Sequence, residues 1–174
     1  SRCMRLLTLG YAVKCILNLW IVQRIRYNSM SKAILKKGRE ESLLRFHPWV
    51  FSGAIAQLTG SPAEGDVVSV WASDGSLLGC GHYQIGSIAV RMLSFGHEHI
   101  DAGFWTESIG AAFEARKAFR LVDSDNTNCY RLVHGEGDGL PGLIVDFYDG
   151  VCVMQAHSVG MFRARKQIAE ALRS

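Results

Sequence analysis

The strongest constraint on this chain is a glycine-rich acidic turn set between two apolar runs: Tyr130-Arg-Leu-Val-His-Gly-Glu-Gly-Asp-Gly-Leu-Pro-Gly-Leu-Ile-Val-Asp-Phe-Tyr148. Within it Gly137, Gly139 and Gly142 satisfy G-x-G-x-x-G, the pattern of a dinucleotide or S-adenosylmethionine cradle. Such a cradle needs a strand before the glycines and a helix after them, because the helix N-terminus presents its N–H groups to the anion. Here Leu143-Ile-Val-Asp-Phe-Tyr148 follows, then Asp149-Gly150 and Val151-Cys-Val-Met154. That order predicts strand, two-residue turn, strand, since Asp-Gly supplies the positive φ angles of a type I′ hairpin. Pro141 also removes an N–H that a cradle would use. The pattern therefore describes a sharp turn that carries Glu136 and Asp138 outward between two buried strands.

Composition sets the outer bounds. The chain has 174 residues, 48% of them hydrophobic, enough for one domain or two small ones with packed cores. The net charge of +3 hides a division: Arg2, Arg5, Lys14, Arg24 and Arg26 lie within residues 1–29, which hold no acid. That leaves 14 basic residues against 16 acids, or −2, over the rest. Bulk charge thus gives no support for nucleic-acid binding, which must rest on local patches. The five cysteines are odd in number and lack any C-x-x-C pair, and the six histidines show no ligand spacing, so neither a disulfide framework nor a metal site is indicated. A reducing, cytoplasmic setting fits.

Residues 1–29 stand apart. Their apolar run is interrupted by Lys14 and Asn18, short of the roughly 20 apolar residues of a membrane span, and no small-x-small cleavage site follows it. The segment reads either as an atypical signal or as sequence upstream of a true start at Met30, the latter being the simpler account. From residue 33 to 96, five or six short strands separated by turns, with Asp74-Gly75 closing one hairpin, predict a small β-barrel. A helical turn over residues 42–46 ends before Pro48, whose predecessor is pushed into extended conformation.

After a junction at 97–100, Asp101 caps a predicted helix that ends near Val122, with Phe104, Ile109, Ala112, Phe113, Ala115 and Phe119 on its apolar face. Ser158 caps a last helix with Met161, Phe162, Ile168, Ala169 and Leu172 on one side. With nothing downstream to cover it, that face is expected to be exposed and to drive aggregation or a homodimer. The fold class is α+β, divided as 1–29, 30–97 and 98–174.

Two runs carry a resemblance. The first begins at Lys37-Gly-Arg-Glu-Glu-Ser-Leu-Leu-Arg-Phe-His-Pro-Trp-Val-Phe51 and the second is the glycine-turn segment. They resemble class I S-adenosylmethionine-dependent methyltransferases of the ribosomal large subunit methyltransferase I type. The likeness covers about residues 33–174 in the family's order. It implies an N-terminal PUA domain, a central α/β domain that is truncated here, and methylation at C5 of a cytosine in large-subunit ribosomal RNA. It also implies a Rossmann-like catalytic domain, holding the S-adenosylmethionine site and a cysteine nucleophile, that lies beyond residue 174. On that reading this chain binds no cofactor and transfers no methyl group by itself. Cys80, Cys129 and Cys152 match no catalytic motif, Cys152 falls in a strand expected to be buried, and Cys80 stands where the family often has a basic residue.

The candidate site residues follow. Residues 30–47 carry Lys32, Lys36, Lys37, Arg39 and Arg45 against Glu40 and Glu41, a local +3, with His47, Trp49 and Phe51 beside them. Basic residues next to aromatics hold phosphates while bases stack. Lys36, Lys37, Arg39, Arg45, His47 and Trp49 are thus candidate contacts to ribosomal RNA, unless Trp49 and Phe51 belong to the core and the charges to a solvated face. Glu136 and Asp138 read either as turn residues or as an acid/base or base-orienting pair, with Arg131 and His134 ahead of them on opposite strand faces. Two functions stay open: the RNA-recruiting part of a methyltransferase, and a stand-alone RNA- or protein-binding module.

Overall fold

A computed structural model describes residues 30–96 and 100–174. The expectations for residues 1–29 and for the junction at 97–99 lie outside the described residues.

The first half is a six-stranded sheet. Its elements are β1 (Lys32–Leu35), a short helix α1 (Glu41–Leu44), β2 (Trp49–Phe51), β3 (Ile55–Thr59), β4 (Val67–Trp71), β5 (Leu77–Tyr83) and β6 (Ile88–Phe95). The strand order is β2-β6-β5-β4-β1-β3, antiparallel throughout except between β1 and β4. The two edge strands, β2 and β3, are consecutive in sequence and joined by the 3-10 turn Ser52–Ala54, so the sheet must curl to bring its edges together. Lys36 N–H donates to Ala54 O at 2.8 Å across that closure. The hydrogen-bonded ladder does not run from β3 to β2, and the expected barrel is a half-barrel. Its core is Ala33, Leu35, Leu43, Val50, Val68, Val70, Val90 and Met92.

The second half comprises α2 (Ala102–Ala118), β7 (Cys129–His134), β8 (Leu143–Tyr148), β9 (Val151–Ala156) and α3 (Val159–Ala171), with the strands in the order β7-β8-β9. The local signals act as the residues dictate. Asp101 accepts from Phe104 N, and Ser158 from Met161 N, each satisfying one of a helix's orphan donors. Asp149 and Gly150 both take positive φ, 44° and 87°, and turn β8 into β9.

Several expectations are corrected. Helix α2 stops at Ala118 rather than near Val122, because Arg120 adopts φ 58° and donates to Lys117 O while Leu121 N–H reaches Arg116 O. That is a Schellman ending built on arginine instead of glycine. Trp105 is buried on this helix, whereas Phe113 is more than a third exposed and Phe119 is exposed. The apolar face of α3 is not left open: Met161 and Ile168 are fully buried against Phe104, Trp105, Ile109, Leu132 and Leu143, and only Phe162 of the expected large residues is exposed. The covering elements lie upstream, in α2 and the sheet, so the second half closes its own core. Cys152 is exposed on the edge strand β9 rather than buried. Arg131 and His134 do not point to opposite faces. A register shift between Arg131 and Val133 adds a residue to β7 and brings Arg131 Nη1 to 3.4 Å from His134 Nδ1.

The two halves share a packed seam. Leu93 of β6 joins the core of the second half. His82 of β5 is buried and stacks on Trp105 at 6.3 Å between ring centroids. Gly160 of α3 lies flat against the same imidazole, where an added Cβ would fall 2.2 Å from His82 Cγ. No side chain larger than hydrogen fits there. Arg163 donates to Asp66 at 2.6 Å at the edge of the seam.

Burial, and secondarily the Arg163 charge, pull the His82 pKa from 6.5 down to about 4. The unfolded chain takes this proton near pH 6.5 and the folded chain only near 4. Stability is therefore full above pH 6.5 and falls between the two values, by about 3 kcal/mol in total. Urea unfolding midpoints measured from pH 7 to pH 4.5 are expected to drop in the parent protein. The drop is expected to flatten in His82→Asn; an equal slope in both proteins would remove His82 from the seam's energetics.

Candidate nucleic-acid interface

The basic segment after β1 is shaped by a second Schellman ending. Phe46 takes φ 61°, its N–H reaches Leu43 O at 2.9 Å, and His47 N–H reaches Ser42 O at 3.0 Å. An aromatic residue in the left-handed region is an uncommon solution. Here the Phe46 ring sits edge-on to Phe95 at 5.3 Å while most of it faces solvent. The turn stops α1 after one turn and sends residues 47–51 back into the sheet as β2.

Two adjoining grooves flank this segment. One, of about 430 Å³, is lined by Leu35, Arg39, Ser42, His47, Trp49 and Phe51 among others. The second, of about 630 Å³, includes Arg39, Ser42, Arg45, Phe46 and His47. Arg39, Ser42 and His47 belong to both, so the two form one continuous depression. Of the candidate contacts, Arg39, Arg45, His47 and Trp49 line it. Lys36 and Lys37 are exposed outside it, Lys36 donating to Gly53 O at 2.8 Å. Arg45 meets Glu41 at 3.4 Å with both side chains largely exposed, a pair of little energetic weight.

Three rings form a triangle at this place. His47 and Trp49 are 5.7 Å apart, Trp49 and Phe51 6.4 Å, and His47 and Phe51 6.3 Å, with the indole nearly perpendicular to the other two. Neither Trp49 nor Phe51 belongs to the buried core: Trp49 is half-buried and Phe51 is 48% exposed. The core alternative for these aromatics is thereby set aside. His47 Nδ1 lies 3.2 Å from the Trp49 backbone N–H and 3.4 Å from the Trp49 carbonyl, so the imidazole is tied to β2 in either tautomer.

The glycine-rich turn reaches this triangle from the other half. Residues Gly135–Asp138 form a 3-10 turn, Gly139 is left-handed, and β8 begins at Leu143 after Leu140, Pro141 and Gly142. Glu136 Oε1 accepts the Trp49 indole N–H at 3.0 Å. Asp138 is not carried outward. Its carboxylate takes both terminal nitrogens of Arg116, at 2.5 and 2.7 Å, and the His134 backbone N–H. Arg116 also donates through Nε to Arg131 O at 2.9 Å. Burial by itself would raise the Asp138 pKa, but the Arg116 and His134 hydrogen bonds and the Arg116 charge outweigh it and hold the carboxyl below its usual 3.8. Glu136 and Asp138 thus serve different partners and do not form an acid/base pair. Sequence reasoning missed Ser42 and Arg116. For Arg116 the signal was faint: an acid inside a glycine turn needs a donor, but nothing local names it.

The G-x-G-x-x-G segment does not fit S-adenosylmethionine. No helix starts after it, and the space a side chain would take at Gly142 is filled by Ser158 Oγ and Cβ, 3.1 and 3.3 Å away.

The curled six-stranded sheet is a PUA-like domain: residues 33–95, which span it from β1 to β6, match the family model described as PUA-like domain. Over most of its length the chain is homologous to ribosomal RNA large subunit methyltransferase I: 42% identical over 144 residues to that of Alteromonas mediterranea and 38% over 145 residues to that of Escherichia coli. Each match covers 82% of this chain and 36% of the relative, so the chain spans just over a third of these relatives' length. A solved structure of a putative SAM-dependent methyltransferase from Streptococcus mutans superposes with a TM-score of 0.70 at 20% identity, over 82% of this chain and 37% of that one. A putative methyltransferase complexed with SAH matches with the same TM-score and identity, over 82% and 36%. At that identity the two structures speak for the fold.

Asp138→Ala is expected to cost about 3 kcal/mol at neutral pH, because it leaves the Arg116 guanidinium mostly buried without its counter-charge. The folded pKa of Asp138 is lowered, so this contribution is present above the ordinary carboxylate value and disappears as pH falls through the folded one. Denaturant unfolding of both proteins at pH 7 and pH 3 checks it: the gap should narrow in acid, and a constant gap would count against the ion pair.

Proposed function

We propose that this chain recognises RNA through the depression around Arg39, Arg45, His47, Trp49 and Phe51, as the RNA-recruiting part of an S-adenosylmethionine-dependent ribosomal RNA methyltransferase acting in the cytoplasm. The observation that carries the reading is the triangle of partly exposed rings inside a groove walled by arginines. Guanidinium groups hold phosphates, and flat rings receive unpaired bases regardless of sequence. The homology to ribosomal RNA large subunit methyltransferase I supports ribosomal RNA as the partner. Among the described residues no helix is long and apolar enough to cross a membrane. Lys36 and Lys37 are exposed outside the groove lining, and on this reading they are further contacts to the RNA backbone.

Binding carried by such contacts is salt-dependent, because each neutralised phosphate releases condensed counterions. On single strands the slope of log affinity against log salt is about −0.7 per phosphate, so four contacts from Lys36, Lys37, Arg39 and Arg45 give a slope near −3. Lys37→Ala is expected to lower its magnitude by about one contact. Fluorescence titrations of a single-stranded ribosomal RNA oligonucleotide at several salt concentrations measure this, and affinity indifferent to salt and to Lys37 would sink the reading.

Trp49→Ala is expected to lose about 1–3 kcal/mol of RNA affinity, the cost of one stacking platform, while the protein stays folded. Because the ring is only half-buried, its unfolding midpoint should move far less than the 3–5 kcal/mol of a core aromatic truncation. A large stability loss with unchanged RNA affinity would assign Trp49 to structure alone.

A further inference from the structure

A carboxylate at the edge of a phosphate-binding groove repels the ligand's backbone, so its presence there needs a reason. Glu136 belongs to the second half of the molecule, is exposed, and is brought to the groove by a turn pinned through Asp138 and Arg116. One of its oxygens takes the Trp49 indole N–H at 3.0 Å. A carboxylate has about four acceptor sites and no donor, so most of its capacity stays open beside the indole. Of the charged side chains lining the depression, Arg39 and Arg45 are donors and Glu41 is paired with Arg45, while Glu136 stands just outside that lining, at the indole edge of Trp49. A base resting among His47, Trp49 and Phe51 would meet an acceptor-only group at the Nε1 edge of the indole. The base edge that satisfies such a group is one bearing an exocyclic amine, as carboxylates accept from amines on base edges.

We propose that Glu136 is a specificity-determining residue that selects an unpaired RNA base carrying an exocyclic amine and rejects the isosteric base carrying a carbonyl. The inference rests on the RNA-binding reading above. It assigns the glycine-rich turn a role in recognition: it delivers an acceptor from the second half to a groove built by the first. A carbonyl base in the same pose sets its exocyclic oxygen against the carboxylate, and its donor on that edge, the ring imino N–H, is displaced from the position that the amine occupies.

The test uses short single-stranded RNAs that differ at one central position by an amine-for-carbonyl exchange, cytidine against uridine and adenosine against inosine, titrated onto the full 174-residue chain. Parent protein is expected to favour the amine member of both pairs by about tenfold, the worth of one hydrogen bond to a charged group. Glu136→Gln keeps an oxygen for the indole but turns an amide donor to the groove. It is expected to bring both ratios to within twofold or invert them, with the salt slope unchanged. Glu136→Ala, monitored by its melting curve, is expected to abolish discrimination as well. Salt-dependent binding without amine preference in the parent protein would overturn this inference and leave the RNA-binding reading standing. So would a preference that survives in Glu136→Gln. Absence of RNA binding would overturn both.

Discussion

The bidentate contact between Arg116 and Asp138 is the interaction on which the site geometry depends. It joins the end of α2 to a turn that has no regular ladder of its own between its two strands. Arg116 spends three donors there, two on the carboxylate and one on the Arg131 carbonyl, and so fixes where β7 ends as well as where the turn points. Asp138 in turn accepts the His134 N–H at the point where β7 leaves the ladder. With both ends tied, the turn holds Glu136 beside Trp49. A mostly buried ion pair is a poor source of net stability when compared with apolar packing. Its value here is directional: a fork of fixed geometry sets a turn that packing alone would leave free to swing.

The seam between the halves makes that direction meaningful. A hydrogen bond across 87 positions of sequence would be weak if the halves moved independently, because ordering them would cost more than one bond returns. The contact of Gly160 with the His82 ring, the stacking of His82 on Trp105, and the Arg163–Asp66 pair remove that freedom at another place. Among the described residues, His82 Nδ1 and Trp105 Nε1 have no hydrogen-bond partner. Two polar atoms are thus left unpaired to let flat rings lie together, a local cost accepted where close contact fixes the orientation of the halves.

Much of the fold was legible because short-range chemistry specified it. Asp149-Gly150 marked a tight turn, Asp101 and Ser158 had helices to cap, and Asp74-Gly75 closed the hairpin of β4 and β5. The failures share one cause, namely residues whose conformation is decided by partners far away in sequence. Arg120 ends a helix in the left-handed region without being glycine, so no signal marks that end, whereas Pro48 announced the end of α1 at Phe46. The irregular pairing within β7 reverses the side of every residue after it, and alternation cannot detect an added residue. Trp105 replaced Phe113 and Phe119 in the core because His82 and Leu93 lie on its side of α2. In the site, composition pointed to Arg39, Arg45, His47 and Trp49, whose clustering is local. It could not see Arg116 or pair Glu136 with Trp49, since both matches are made by tertiary structure.

The glycine pattern shows how a motif's letters and its chemistry separate. G-x-G-x-x-G binds anions when its N–H groups converge ahead of a helix. Here Gly139 serves its positive φ and Gly142 makes room for Ser158, while the N–H groups of Gly139 and Leu140 are spent on Glu136 and Gly135 carbonyls. What the turn offers outward is therefore the Glu136 carboxylate, an acceptor for hydrogen-bond donors and a repellent for phosphate. The same spacing that elsewhere cradles a phosphate here extends a negative charge, and it does so beside a groove whose arginines supply the opposite sign. On the proposed reading, donors along the groove and one acceptor beside its rings would make two parts of RNA recognition separable: guanidinium groups would set the affinity for any backbone, and the carboxylate would discriminate between bases.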